Sequence, residues 1–192
     1  LIPGTGFLEI IREMVTLAAG DRAAPPVVRL EDVVFAAPFA VAGGEVRTLE
    51  IALDRRDQTV TLYSDTVEAP HVVATYDLVG DLGAGSAPMV ALDAVRARCV
   101  RRVDRFDGYS DQPFMTFGPR WGNLFSVGFG DGEAIITTRL PARYVGELDD
   151  LWLHPALLDM ATGSAQALIP GFGQADRIVM APATPYVAKF TE

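Results

Sequence analysis

The sequence predicts an α+β fold in which two helices each lie beside antiparallel strands. Three patterns carry this prediction. Residues 5–19 show the apolar period of a helix, and the segments that follow alternate with the period of strands. A second strand-rich stretch then ends in another helical pattern at 155–168. The chain therefore repeats one plan, in which each half holds one helix.

The first predicted helix is the segment TGFLEIIREMVTLAA, 5–19. Pro3 and Gly4 precede it and Gly20 follows it, as is typical of helix ends. Its apolar face is expected to point into the core. That face comprises Phe7, Ile10, Ile11, Met14, Leu17 and Ala18, and the opposite face comprises Glu9, Arg12, Glu13 and Thr16.

Strand-like segments follow this helix. Their side chains alternate between apolar and polar, and β-branched residues are frequent. The segments are 27–39, 48–54, 59–65 and 71–78, with Pro38 breaking the first. The stretch GDLGAGSAP comes next and consists mostly of small residues, so we predict a linker at 81–88. The predicted halves are therefore 1–80 and 89–192.

The second half begins with a strand-like segment at 98–106. Two more strand-like segments, FSVGF and EAIITTRL, flank a Gly-Asp-Gly turn. Such a turn between alternating segments favours a β-hairpin. Cys99 lies in the first segment, and we expect a core or half-buried thiol there rather than a nucleophile.

Composition argues against several classes of function. The 192 residues are 49% hydrophobic and carry a net charge of −9, which argues against nucleic acid and anionic membranes as partners. No apolar run approaches the roughly 20 residues that span a bilayer. The single cysteine excludes an internal disulfide and favours a cytoplasmic location. The sequence has neither metal-ligand spacing nor a phosphate-binding loop, so we expect no cofactor bound by the domain.

Asp159 interrupts an apolar run in LHPALLDMATGSAQ, 153–166. Apolar surroundings disfavour the charged form of a carboxyl group, which suits a general acid. Helical spacing places Gly163 and Gln166 on the same face as Asp159. The alternative is a carboxylate near the helix start that caps the helix or is favoured by its dipole. Spacing alone leaves both interpretations open and favours the second.

Three motifs resemble those of polyketide synthase dehydratase domains. LIPGTGFLEI at the start is similar to the end of their first active-site motif. FGPRWGNL at 117–124 is similar to their glycine-proline motif, and LHPALLD at 153–159 to their second active-site motif. The motifs stand in the family's order, and the resemblance runs from Leu1 to about Pro170. It implies a double hotdog, in which two helices are each wrapped by an antiparallel sheet.

The resemblance also implies a reaction. Such domains remove water from a 3-hydroxyacyl thioester carried on the phosphopantetheine of an acyl carrier protein. A histidine takes the α-proton, and the aspartate that matches Asp159 protonates or orients the leaving hydroxyl. A backbone N–H near Gly4 or Thr5 would polarise the thioester carbonyl, which suits the positive end of a helix dipole.

The family's histidine would precede Leu1. We therefore expect the chain to begin within the first motif and to stop short of the family's last strands. His71 and His154 do not match that histidine. His71 is expected to lie on a strand near a sheet edge, and His154 to make a structural hydrogen bond before the second helix.

The glycine-proline motif supplies further candidates for substrate binding. The resemblance places Phe117, Gly118 and Pro119 in this motif. Trp121 is expected either to line the acyl tunnel or to pack in the core, and core packing is favoured. Arg120 is expected either to reach a phosphopantetheine phosphate or to remain solvated, and the solvated state is favoured.

Two positions depart from the family's pattern. The family has a glutamine or histidine four residues after the aspartate, and this chain has Gly163, with Gln166 as the nearest substitute. The family also brings a tyrosine hydroxyl to the acid from the glycine-proline motif. Here Phe117 occupies that neighbourhood and cannot donate a hydrogen bond, which leaves Tyr109 as the nearest hydroxyl.

Other classes of function stay open. The departures at Gly163 and Phe117 fit a domain that keeps the fold, has lost the chemistry and serves as a structural or dimerisation piece of a megasynthase. A product-template domain, or a double-bond isomerase or cyclase of the same fold, is a further alternative. The expected partners are an acyl carrier protein, the other domains of the same megasynthase and a second copy of the chain.

Overall fold

The computed structural model describes residues 1–20, 26–65, 67–79, 90–104 and 116–164. The chain divides into two compact units, Leu1–Ala87 and Pro88–Phe190. Each unit contains an antiparallel sheet and a helix packed against it, so the predicted α+β class is confirmed. The predicted linker at 81–88 lies outside the described residues, as do Gln166 and Tyr109.

The first unit is a helix on a four-stranded sheet. Its elements are α1 (Gly4–Ala18), β1 (Val27–Phe35), β2 (Leu49–Asp54), β3 (Thr59–Ser64) and β4 (Val67–Val79). The strands pair in the order β1-β4-β3-β2, and every pairing is antiparallel. Alternation along β3 and β4 turns one row of side chains towards α1. The buried core consists of Phe7, Ile11, Val15, Phe39, Val60, Leu62, Val72, Ala74 and Tyr76.

The buried face of α1 differs from the predicted one. Ile11 and Val15 are 0% and 1% exposed, whereas Leu17, predicted to be in the core, is 63% exposed. Glu9, predicted to face solvent, is 5% exposed, because Arg12 donates two hydrogen bonds of 2.8 Å to its carboxylate. A paired carboxylate tolerates burial that an isolated one does not.

β4 is an interior strand of the first sheet. It is hydrogen-bonded to β1 on one side and to β3 on the other. His71 lies on β4 and is 0% exposed, so the expectation that it lies near a sheet edge is wrong. The apolar pattern of a strand reports its buried face but not its place in the strand order, which long-range pairing decides.

The second unit contains a three-stranded sheet. Its elements are α2 (Leu92–Arg98), β5 (Arg101–Asp104), a 3-10 turn (Pro119–Trp121), β6 (Leu124–Phe129), β7 (Ala134–Thr138), a 3-10 segment (Ala142–Asp149) and α3 (Pro155–Gly163). The strands pair in the order β5-β6-β7. β6 and β7 form the predicted hairpin, and Gly132 has a φ of 67°, a conformation that glycine adopts without strain. Met160 of α3 packs against Leu124 and Val127 of β6.

The predicted strand at 98–106 is only partly correct. β5 occupies Arg101–Asp104, but Arg98 ends helix α2. The guanidinium of Arg98 forms two hydrogen bonds, 2.6 and 2.8 Å long, with the carboxylate of Glu133, which directly precedes β7. This contact spans 35 residues, so local alternation could not reveal it. Cys99 is buried at the end of α2, which confirms the expected core thiol.

Within the part of the chain that the structure describes, no helix has both the length and the apolar character needed to cross a membrane. The same residues contain no cluster of three or more His, Cys, Asp or Glu side chains that could hold a metal ion.

We expect Ile11→Ala to lower the free energy of unfolding by about 2–5 kcal/mol, because it leaves a cavity between α1 and the sheet. Leu17→Ala makes a comparable truncation on the exposed side of the same helix and should change it by about 0.5 kcal/mol or less. Urea denaturation followed by circular dichroism measures both. Equal losses in the two variants would contradict the observed orientation of α1.

Candidate active site

The side chain of Asp159 is held by an indole from another element. Asp159 lies in the second turn of α3, and its Oδ2 accepts a 2.7 Å hydrogen bond from Nε1–H of Trp121. Trp121 ends the 3-10 turn and stands 38 residues earlier in the chain. The contact joins the glycine-proline motif to the second motif. It fixes one carboxyl oxygen and the orientation of the other.

The structure argues against one of the two interpretations of Asp159. The N-cap of α3 is His154, whose side chain makes no capping hydrogen bond, and the first turn contains no acidic residue. Asp159 therefore neither caps the helix nor stands at its positive end. Its carboxylate reaches across to Trp121 and is half-buried. The interpretation of Asp159 as a helix cap is wrong.

The Gly-Pro sequence forms the turn that presents the indole. Pro119 occupies the first position of the 3-10 turn, and the N–H of Trp121 donates a 3.0 Å hydrogen bond to the carbonyl of Gly118. A proline at this position needs no N–H donor and has its φ already set. The ring of Phe117 lies 6.4 Å from that of Trp121, tilted by 35°. Phe117 thus supports the indole from the side.

Trp121 has the core-packing role that was favoured for it and also makes a hydrogen bond that was not expected. One part of the side chain packs against the buried cluster of Leu124, Val127 and Met160, as expected for a core residue. Its Nε1–H points to Asp159. The expected donor to the acid was a hydroxyl group, but the donor in the structure is the indole N–H.

Asn123 ties the turn to the helix that carries Asp159. Its side chain is buried, and Nδ2 donates hydrogen bonds of 2.9 Å to the carbonyl of Arg120 and 2.8 Å to that of Ala156. One amide group therefore bridges the turn before β6 and the first turn of α3. Asn123 was not among the residues predicted from the sequence. The signal available was a lone amide directly after the GPRWG stretch.

A charged cluster supports the other side of the turn. We call it the Glu147 cluster, and it consists of Arg120, Tyr144, Glu147 and His154. Arg120 donates hydrogen bonds of 2.6 to 3.0 Å to both carboxylate oxygens of Glu147. Its guanidinium also lies over the ring of Tyr144, 4.4 Å from the centroid. Arg120 is exposed, as the favoured expectation of a solvated arginine required, and it is also ion-paired with Glu147.

His154 completes the Glu147 cluster. Its side chain is buried, and Nε2 lies 3.2 Å from Oε2 of Glu147, which confirms the structural hydrogen bond expected for this residue. Hydrogen bonds from Arg120, and secondarily from His154, lower the pKa of Glu147 to about 2. The carboxylate is therefore ionised across the physiological range and accepts from Nε2–H of His154.

Gly163, four residues after Asp159, leaves open space. It ends α3, and a Cβ added there would meet no atom of the described residues within 4 Å. The described part of the chain therefore leaves space for a Cβ at this position. Gln166, the predicted substitute, lies outside the described residues.

The first unit supplies the second candidate region, the start of α1. Gly4 is the first helical residue, and the carbonyl of Pro3 accepts a 2.9 Å hydrogen bond from the N–H of Gly6. The first N–H groups of a helix have no partner within it and form its positive end. A Cβ at Gly4 would stand 3.2 Å from the ring of Phe35, so glycine permits this close approach. Thr5 is buried beside it.

Comparison with known families identifies the chain. The family model described as the polyketide synthase dehydratase N-terminal domain matches residues 87–183, just over half of the sequence. The chain belongs to the polyketide synthase dehydratase family. A second model, described as the polyketide synthase dehydratase domain, matches residues 1–65. The resemblance carried by the three motifs is thereby confirmed.

Individual relatives agree with this assignment. The chain is 24% identical over 168 residues to polyketide synthase PksN of Bacillus subtilis, a match that covers 84% of this chain and 3% of PksN. The dehydratase domain from the CurF module of curacin polyketide synthase is similar with a TM-score of 0.72 and 20% identity. That match covers 88% of this chain and 62% of the solved one.

A trans-AT polyketide synthase dehydratase domain from Brevibacillus brevis gives a TM-score of 0.68 at 23% identity, covering 83% of this chain and 62% of that one. The chain thus spans less than two thirds of these solved domains and a small part of PksN. The likeness to solved dehydratase domains confirms the predicted double-hotdog fold.

In this dehydratase domain we expect the Glu147 cluster to loosen in acid. Because the folded pKa of Glu147 lies below its ordinary value of 4.5, its stabilising effect is complete above about pH 4.5 and is lost as the pH falls towards 2. The indole N–H resonance of Trp121 should shift over that range in wild type and respond less in Glu147→Gln.

Glu133→Gln is the matched control for this titration. Glu133 forms a similar bidentate ion pair with Arg98 in the same unit, and that pair lowers its pKa as well. Glu133→Gln should leave the acid response of the Trp121 resonance unchanged. An identical response in wild type and in Glu147→Gln would show that the cluster does not support the indole.

Proposed function

We propose that this domain eliminates water from a 3-hydroxyacyl thioester to give an enoyl thioester, with Asp159 as the group that delivers a proton to the leaving hydroxyl. The hydrogen bond from Trp121 to Asp159 is the observation that carries the proposal. Through this hydrogen bond, Trp121 of the glycine-proline motif orients Asp159 of the second active-site motif. A carboxyl group kept only for helix stability would not need such a partner.

The elimination balances as follows. A base removes the α-proton, and its electron pair forms the Cα–Cβ double bond. The Cβ–O bond breaks, and the hydroxyl leaves as water with a proton from the carboxyl group of Asp159. A syn elimination requires the base and Asp159 on the same side of the substrate. Negative charge that develops on the thioester oxygen is stabilised by backbone N–H groups at Gly4 or Thr5.

The two oxygens of Asp159 have separate roles in this proposal. Oδ2 accepts from Trp121, which fixes the rotamer of the side chain. Among the described residues, none donates a hydrogen bond to Oδ1, so this oxygen is left to carry the proton. Trp121 therefore takes the role of the tyrosine hydroxyl that the family places near the acid, and the departure at Phe117 does not remove the donor.

Neither of the two histidines of this sequence is placed to act as the base. His154 is paired with Glu147, and His71 is buried between Ala37 and Ser64. We infer that the base is the histidine of the family's first motif, which precedes the position of Leu1. The assay therefore uses a polypeptide in which the family's complete first motif, with its histidine, leads into this sequence.

The proposal includes the partners of the reaction. The substrate is carried on the phosphopantetheine of an acyl carrier protein, and the domain works beside the other domains of a polyketide or fatty-acid megasynthase. We propose a homodimer in the cytoplasm as its working form. The acidic net charge of −9 is consistent with the absence of nucleic acid and anionic membranes from this set of partners.

Asp159→Asn is expected to lower the rate of water loss by about 10²- to 10⁴-fold, because the amide cannot deliver the proton. Trp121→Phe keeps an aromatic ring but removes the N–H donor. We expect it to lower the rate of water loss about tenfold, because Asp159 is then less well oriented. Mass spectrometry of a carrier-bound 3-hydroxyacyl thioester, before and after incubation, measures the loss of one water.

Two matched variants control this experiment. Asp149→Asn makes the same chemical change at an exposed carboxylate of the second unit, and Trp152→Phe makes the aromatic change at an exposed tryptophan. Both should retain wild-type turnover. If wild type fails to release water from substrates of several chain lengths, the domain is a structural or dimerisation piece of the megasynthase instead.

Gly163→Gln should raise turnover by about three- to tenfold, because it restores an amide one helical turn after Asp159, at a position where an added Cβ meets no described atom within 4 Å. Any helix former at this position also removes the cost of a helical glycine, about 1 kcal/mol. Gly163→Ala isolates that second effect, since alanine adds no donor. Equal turnover in the glutamine and alanine variants would mean that the amide contributes nothing to the reaction.

A further inference from the structure

His71 is a fully buried histidine with both ring nitrogens engaged. Nδ1 lies 3.1 Å from the carbonyl oxygen of Ala37, and Nε2 lies 2.7 Å from Oγ of Ser64. A carbonyl oxygen only accepts, so Nδ1 carries the proton. In the neutral ring Nε2 accepts from the hydroxyl of Ser64. The imidazole therefore joins β3 and β4 to the segment that follows β1.

The ring of His71 also touches the helix. It stacks on Phe7 of α1, with centroids 6.4 Å apart and planes 11° apart. It meets Phe39 edge-on, with centroids 5.1 Å apart and planes at 78°. Phe7 stands one turn from the first residue of α1. One side chain thus contacts both the helix and the segment beside its start.

That segment in turn holds the chain that enters α1. The carbonyl of Phe39 accepts a 3.0 Å hydrogen bond from the N–H of Ile2. The ring of Phe35 lies against Gly4, where a Cβ would stand 3.2 Å away. His71 fixes the segment between Phe35 and Phe39 through a second contact, because its own carbonyl accepts the N–H of Ala36 at 2.9 Å.

We propose that His71 is a positioning residue for the first N–H groups of α1, which it places through Phe7, the carbonyl of Ala37 and the segment from Phe35 to Phe39. The proposal rests on the proposed function, since those N–H groups are the ones that polarise the thioester carbonyl. His71 itself does not touch the substrate. A displacement of about 1 Å at such donors costs on the order of 10²-fold in rate.

A positioning role differs from a purely structural one in what it changes. Charge develops on the thioester oxygen mainly in the transition state, so misplaced donors lower kcat more than they raise KM. They also weaken the polarisation of a bound carbonyl. Lower stability alone reduces the fraction of folded molecules, but it leaves the kcat of each folded molecule and the polarisation of a bound carbonyl unchanged.

Infrared difference spectroscopy of a bound crotonyl thioester, labelled with ¹³C at the carbonyl, tests this directly. In wild type, within the polypeptide that carries the complete first motif, binding should move the carbonyl stretch to lower frequency. His71→Phe keeps an aromatic ring but drops both hydrogen bonds. We expect it to reverse most of that shift and to lower kcat for hydration by about 10- to 100-fold, with KM changed less than about threefold.

Two further variants keep the test decisive if His71→Phe does not fold. Asn places its amide nitrogen where Nδ1 stands, so His71→Asn should restore part of the carbonyl shift and of kcat. Ser64→Ala removes only the hydrogen-bond partner of Nε2, so it should lower kcat and the carbonyl shift less than His71→Phe does. Thr75→Ala is the matched control, because Thr75 of the same strand donates a 3.0 Å hydrogen bond to the carbonyl of Glu31, away from α1.

The outcomes separate the two proposals. A normal carbonyl shift and normal kcat in folded His71 and Ser64 variants would overturn the positioning role and leave the dehydratase function intact. An equal loss of kcat and of the carbonyl shift in Thr75→Ala would also overturn the positioning role. Loss of any hydrogen bond from this strand would then be enough to produce the effect. If wild type turns over substrate without shifting the carbonyl stretch, the N–H groups of α1 do not polarise the thioester carbonyl, and the positioning role of His71 is wrong as well. If wild type neither shifts it nor turns over, the proposed function fails with them.

Discussion

The hydrogen bond between Trp121 and Asp159 is the contact around which the second unit is organised. It requires the indole to reach a carboxyl group that lies 38 residues further along the chain. Asn123 makes this possible by donating to a carbonyl on each side, one in the 3-10 turn and one in α3. The Glu147 cluster holds the outer side of the same turn. These hydrogen bonds join the 3-10 turn, the 3-10 segment and α3, and together they give the carboxyl group one orientation.

Both histidines of the chain serve as connectors of the fold. His71 bridges two strands and the segment after β1, and His154 bridges α3 and the 3-10 segment. An imidazole suits this use because it packs like an aromatic ring and offers a polar atom on each side. His71 packs beside the first turns of α1, and His154 is the N-cap of the helix that carries Asp159.

Much of the site was predictable because its parts are local in sequence. The helix that begins at Pro155 follows from helical spacing, and the glycine-proline motif that forms the turn was recognised by its similarity to the family's motif. The donor to Asp159 was not predictable from spacing, since the indole of Trp121 had an equally good role in the core. Arg120 and Glu147 are 27 residues apart, and no periodic pattern connects them.

The sequence alone determined the α+β class and the hairpin at Gly132, because periodicity and turn residues are properties of short segments. Its three motifs indicated the family and, through that resemblance, Asp159 as the candidate acid. Tertiary structure decided which face of α1 is buried, with Glu9 inside and Leu17 outside, and it placed His71 on an interior strand. It also chose the partner of Asp159. These outcomes depend on contacts between residues far apart in the chain, where burial and hydrogen-bond satisfaction outweigh local preference.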